Sequence, residues 1–90
     1  MVTINGFFYK KSTRPNKKLM TFHNKRAIHF GDVKSEHFKD KTKYWKSKDH
    51  GDPTRRKNYL IRSAKIKNKK NELTKDNPAY ANYHARRILW

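Results

Sequence analysis

Ninety residues carry 24 Lys and Arg against 7 Asp and Glu, a formal net charge of +17, with 33% hydrophobic residues and no cysteine. That length leaves room for one small domain, the missing thiols exclude a disulfide framework and a thiolate zinc site, and no apolar run approaches the roughly 18 to 20 residues that span a bilayer. So large an excess of like charge repels itself across a small body and points to a polyanion or an acidic protein surface as the working partner.

The chain reads first as β structure. Residues 2–9 fit an opening strand, and Ser12-Thr13-Arg14-Pro15-Asn16 carries turn chemistry that separates it from the next. Residues 19–23 and 27–30 are short alternating segments, with Met20 and Phe22 on one face of the first and Ile28 and Phe30 on one face of the second. Asn24-Lys25-Arg26 between them has the length of a hairpin loop, although it offers no Gly for a positive φ. This pairing predicts His23 and His29 on facing strand positions, and Gly31-Asp32 closes the second strand. From 33 to 51 the pattern weakens into a polar loop with isolated aromatics, Phe38, Tyr44 and Trp45. A connection that long without regular structure is usually functional or disordered. Its aromatics point to a loop that is pinned down, with Phe38 and Trp45 expected to cap the core, the alternative being that they stack on bases.

Asp52-Pro53-Thr54 is a helix start: an oxygen-bearing N-cap, then Pro at the first helical position, where its missing N–H is not needed. The spacing predicts a helix to about Lys67 within a block 52–70. Tyr59, Leu60, Ser63, Ala64 and Lys67 form its inner stripe, and Arg55, Arg56, Arg62, Lys65 and Lys69 face outward. The same signal at Asp76-Asn77-Pro78 predicts a second helix from Pro78 onward, in a block 76–90, with Tyr80, Tyr83, Arg87 and Trp90 along one side. The expected architecture is a single small basic α+β domain over residues 1–90. Its β region, 1–32, is an antiparallel β-hairpin or three-stranded sheet, followed by a loop, 33–51, and two Pro-initiated helices. The expected core is Met20, Phe22, Ile28, Phe30, Tyr59, Leu60, Ala64, Tyr83, Ile88 and Trp90.

Catalysis needs grouped acids, bases or ligands, and the five histidines are scattered without a zinc-binding spacing. His50-Gly51-Asp52 hints at a nuclease pair, but Asp52 is better explained as the N-cap. The three glycines, at 6, 31 and 51, are isolated, so no phosphate-cradling loop is present. No catalytic residue, metal, cofactor or small-molecule substrate is expected. What remains is charge interleaved with aromatics. The expected contacts to a polyanion or partner are Lys17, Lys18, Arg55, Arg56, Arg62, Lys65, Lys67, Lys69, Lys70, Arg86 and Arg87. Lys predominates over Arg, which favours non-specific phosphate contact over base readout. Ile88-Leu89-Trp90 either closes the core or serves as an apolar anchor for a partner.

Pro15-Asn16-Lys17-Lys18, the strand ending His29-Phe30-Gly31, Phe38-Lys39-Asp40-Lys41-Thr42, Arg55-Arg56-Lys57-Asn58-Tyr59-Leu60-Ile61-Arg62, Asn77-Pro78 and Arg87-Ile88-Leu89-Trp90 follow one another in a familiar order. With them the chain resembles a family of small basic proteins of unknown function encoded by nucleocytoplasmic large DNA viruses of the phycodnavirus, mimivirus and marseillevirus type. It departs from that pattern at Ser63, where His is expected, at Leu73, where Trp is common, and in stopping at Trp90. The resemblance implies a virion setting, inside the capsid, with the host cytoplasm or nucleus during assembly. The leading expectation is a non-catalytic minor capsid component bridging larger, acidic capsid subunits. The alternative is a non-specific nucleic-acid-binding protein that condenses or packages the genome through its phosphate backbone.

Overall fold

In a computed structural model that describes residues 2–90, Asn5 and Gly6 take φ values of 52° and 83° and reverse the chain within two residues. Positive φ at both central positions is the type I′ geometry whose twist matches the strands it joins, and Asn-Gly is the pair that adopts it most readily. The stretch expected as one strand is therefore two, β1 (Val2–Ile4) and β2 (Phe7–Lys11), paired antiparallel with Val2 opposite Tyr9. After the turn at 12–16 come β3 (Lys17–His23) and β4 (Arg26–Asp32), giving a four-stranded antiparallel meander in the order β1-β2-β3-β4. The expectation of a hairpin or three strands is corrected to four; the overlooked reversal is Asn5-Gly6. Position 1 of the expected β region lies outside the described residues.

A second two-residue turn corrects the register. Asn24 and Lys25 both take positive φ, 49° and 66°, without any glycine, so Arg26 is already in β4 opposite His23. Shortening the loop from three residues to two shifts the pairing by one and places Leu19 opposite Phe30 and Thr21 opposite Ile28. Phe22, expected in the core, is consequently 49% exposed. His23 and His29 do not face each other: His29 lies opposite Met20, and its Nδ1 meets Ser12 Oγ at 2.6 Å.

The inner face of the sheet presents Tyr9, Leu19 and Phe30 to α2 (Ala81–Ile88), whose Ala85 and Ile88, with Leu89 just beyond, complete the buried cluster. The sheet and α2 are joined at the centre by a polar contact. The Tyr9 hydroxyl meets His84 Nδ1 at 2.8 Å, and His84 Nε2 donates to the Pro78 carbonyl at 2.7 Å; burial holds the His84 pKa below 6.5, so at neutral pH the ring is neutral with its proton on Nε2 and Nδ1 accepts from the hydroxyl. Gly31 is required where β4 passes this cluster: its φ is +79°, and a Cβ there would come within 2.9 Å of a Leu89 methyl.

The helices are shorter than expected. Asp52 caps α1 (Pro53–Ser63) as read from the sequence, its Oδ1 accepting from the Thr54 and Arg55 amides at 2.9 and 3.3 Å. The helix stops at Ser63 instead of about Lys67 because α2 engages its last carbonyls. Arg86 Nη1 donates to Leu60 O at 2.6 Å, and Asn82 Nδ2 donates to Ser63 O at 2.9 Å. Pro78 does not begin α2. Asn77 folds 77–80 into a turn, its Oδ1 accepting from the Ala79 amide at 3.0 Å, and the helix starts at Ala81. No helix among the described residues is long and apolar enough to cross a membrane.

Acid should unfold this protein from an unusually mild pH. His84 and His37 are buried and His29 is half-buried, and all three have pKa values lowered from 6.5, with burial the first cause in each. Depressed folded-state values mean that the unfolded chain takes up protons first, so the stability is fully present above about pH 6.5 and is lost as pH falls below it. Thermal melts between pH 7.5 and about pH 5 should show a falling midpoint. For His84→Gln, which retains polar capacity without titrating in this range, the fall should be shallower; an equal slope would remove His84 from the explanation.

Candidate nucleic-acid interface

The expected contact residues separate into two groups. Lys18 belongs to the interior: it is 1% exposed, and its ammonium donates to Ser35 O and, at 2.8 Å, to His37 Nδ1. His37 in turn donates from Nε2 to Asp49 Oδ1 at 2.5 Å, which also accepts the Asp40 amide at 2.8 Å. A neutral imidazole thus links a buried cation to a carboxylate, and burial pushes the Lys18 pKa down. Each member holds part of the 33–51 loop to β3, and Lys18, expected to meet a polyanion, is unavailable to one. Sequence alone assigns it to the surface, because a lysine in a Lys-Lys pair is ordinarily solvated.

Two further expected contacts hold the domain together. Arg86 bonds Leu60 O and Ser63 Oγ, both at 2.6 Å. Arg87 lies over the Tyr83 ring at 3.8 Å, donates to Lys75 O at 2.8 Å and pairs with Asp76. The apolar anchor dissolves in the same way: Ile88 and Leu89 are 0% and 1% exposed, and half-buried Trp90 stacks on Tyr59 with centroids 4.1 Å apart. Of the two roles the sequence allows this segment, it closes the core.

The remaining cations stay at the surface. Arg55, Arg56 and Arg62 project from α1, with Arg55 paired to Glu36 at 3.2 Å and Arg56 and Arg62 lying over the Phe38 and Tyr59 rings. Lys17 is half-buried where β3 begins, opposite Asp32. Lys65, Lys67, Lys69 and Lys70 are all exposed, and none of the ion pairs among the described residues includes them.

These four lysines ride on a built loop, not a frayed tail. Asn68 is its keystone: its Oδ1 accepts the amides of Lys70 and Glu72 at 2.9 and 3.0 Å, and its Nδ2 donates to the Tyr80 hydroxyl at 3.0 Å. Asn71 turns the chain with φ of 66°, and the Thr74 amide closes back onto Ile66 O at 3.0 Å. Between this loop and the start of α2 lies a groove of about 850 Å³ lined by Lys67, Lys69, Lys70, Tyr80 and Asn82. The only carboxylate in its wall, Glu72, is engaged by Asn68 at 3.2 Å. Chemically the arrangement offers mobile ammonium donors beside amide and phenol groups, suited to phosphate oxygens. Composition alone does not point to Asn68 and Tyr80 as site residues; an Asn three positions before another Asn, in a lysine-rich stretch, is the one local turn signal.

Comparison with known proteins finds one family model, that of a family of unknown function, DUF5754, over residues 9–63. The match runs from β2 to the last residue of α1 and takes in the Lys18, His37 and Asp49 chain but not the lysine loop. No curated protein and no solved structure matches the chain.

Proposed function

The chain belongs to the DUF5754 family, a family of unknown function, and we propose that it is a non-catalytic, sequence-independent binder of the nucleic-acid phosphate backbone. The observation that carries this reading is the ordered loop with Lys65, Lys67, Lys69 and Lys70 exposed and without carboxylate partners among the described residues. A net charge of +17 supports it, because few of the Lys and Arg side chains are neutralised within the molecule. The sequence resemblance supplies the setting: packaging of a genome inside the particle of a large double-stranded DNA virus. The capsid-bridging alternative requires an apolar anchor, and the segment expected to supply it, Ile88-Leu89-Trp90, packs on its own domain.

Phosphate binding has a distinctive thermodynamic mark. Each neutralised phosphate releases condensed counterions, so a protein making about 6 to 10 phosphate contacts should lose about 10³ to 10⁵ in affinity between 50 and 200 mM salt. Fluorescence anisotropy with DNA duplexes of unrelated sequence should show that loss and equal affinities across sequences. Replacing Lys65, Lys67, Lys69 and Lys70 together with Gln should weaken binding and flatten the salt slope by about 3 to 4. An affinity indifferent to salt, or a slope unmoved by the four substitutions, would sink the assignment to this loop.

A further inference from the structure

The outer face of the sheet, opposite α2, carries two large aromatic side chains that stay about half exposed among the described residues. Phe8 is 58% exposed and Phe22 49%. Phe8 lies two residues from Lys10, and Phe22 two from Met20, the pair facing each other across β2 and β3. Because strand side chains alternate, all four point to one face. The outer strands continue the row: Thr3 is opposite Phe8 and Ala27 is opposite Phe22, both exposed and small. Across four strands the sheet therefore presents two phenyl groups between low shoulders.

Isolated exposed apolar side chains need no explanation. This pair differs in its electrostatic frame. Lys10 shares the face, Lys25 lies in the turn beside Phe22 with Arg26 next to it at the start of β4, and Arg14 lies in the turn that follows β2. Asp32, at the far end of β4, is the only acid in the first 32 residues. A hydrophobic partner helix or a second copy of the same cationic face would meet a ring of uncompensated charge. A ligand that carries its own negative charge along one edge and flat apolar faces along the other satisfies both features. That ligand is single-stranded nucleic acid, whose phosphates meet the cations while unpaired bases stack on phenyl rings; a duplex hides its base faces and can use only the cations.

We infer that the outer sheet face is a stacking platform for single-stranded nucleic acid, with Phe8 and Phe22 as the two base-stacking residues. The inference rests on the phosphate-binding reading and sharpens it, since it adds a preference for unpaired over paired strands. Stacking on an aromatic residue contributes about 5-fold to 150-fold per base, largely without regard to base identity.

The test compares oligo(dT) with a DNA duplex on the full chain and on Phe8→Ala/Phe22→Ala, at one fixed salt concentration. The double variant should bind oligo(dT) at least about 25-fold more weakly, while its duplex affinity stays the same. Phe8→Tyr/Phe22→Tyr, which keeps both rings, should bind like the parent. Both substituted positions are exposed, and thermal melts verify that the variants fold. A separate readout uses Phe22→Trp, whose added fluorescence should be quenched by oligo(dT) but not by heparin, a polyanion without bases. Equal binding of oligo(dT) by the parent and the Ala variant would overturn the platform while leaving phosphate binding in place. Failure of the parent to bind either nucleic acid would overturn both. A parent that sediments as a dimer, with the Ala variant a monomer, would assign the face to a second copy of the chain and overturn the proposal.

Discussion

Replacing Ile88 with Ala should unfold a large fraction of this protein or lower its melting midpoint by at least about 8 °C. Ile88 is fully buried among Tyr9, Leu19, Phe30 and Leu89, where the last turn of α2 meets the sheet. Deleting three methyl or methylene carbons from such a site removes their transfer energy and leaves a cavity that the rigid sheet cannot close, at a cost of about 2 to 5 kcal/mol. A domain of this size has only about 5 to 10 kcal/mol in total. The experiment is urea denaturation of the isolated protein with no partner present. An unaltered midpoint would mean that Ile88 does not pack in the free chain and would restore it as a candidate anchor for another molecule. Phe22→Ala supplies the contrast: expected in the core from alternation but exposed in the fold, it should change stability by less than about 0.5 kcal/mol.

The second large effect comes from a carboxylate. Asp40 is 2% exposed, and its oxygens accept three hydrogen bonds: from the Thr42 amide at 2.8 Å, the Thr42 hydroxyl at 2.6 Å and the Trp45 amide at 2.7 Å. It thereby holds a loop that lacks the repeating bonds of a helix or sheet. Bonds to a charged acceptor contribute about 1.5 to 3 kcal/mol each, and Asp40→Ala leaves buried amide donors without a partner. A destabilisation of about 3 kcal/mol or more is expected, with Asp40→Asn losing less because one oxygen can still accept. Amide hydrogen exchange should localise the damage, with the Trp45 amide exchanging far faster while the Leu19 and Phe30 amides are slowed only by global stability. Unchanged protection at Trp45 would contradict this account.

Legibility in the sequence followed the range of the interactions. The Asp52 cap and Pro53 start of α1 are written in adjacent residues and were readable. The four-strand count is legible too, since Asn5-Gly6 is a strong local hairpin signal, masked only by the shortness of the strands that flank it. The β3–β4 register was not, because Asn24-Lys25 adopts a glycine-like turn with no glycine, and one residue of loop length reverses which face Phe22 occupies. Contacts across the chain left no local trace. Nothing around Lys18 indicates that His37 and Ser35 will receive its ammonium, and nothing around Ser63 indicates that Asn82 and Arg86 will end the helix there. The same limit governs the candidate interface. The lysines of 65–70 were visible as charge, whereas the grouping of Phe8 with Phe22 depends on strand pairing.

The hydrogen bond between Tyr9 and His84 spans 75 residues of sequence, and that separation sets an order of events for a chain emerging from the ribosome. The meander can form early, because its turns are local and its strands adjacent. Its inner face stays uncovered until residues 81–89 have been made, which at about 5 to 20 residues per second leaves several seconds of exposure. During that interval the nascent chain displays Tyr9, Leu19 and Phe30 to solvent together with a strongly cationic surface, a combination attractive to both chaperones and nucleic acid. Closure by α2 is therefore the step that commits the polypeptide to its folded form.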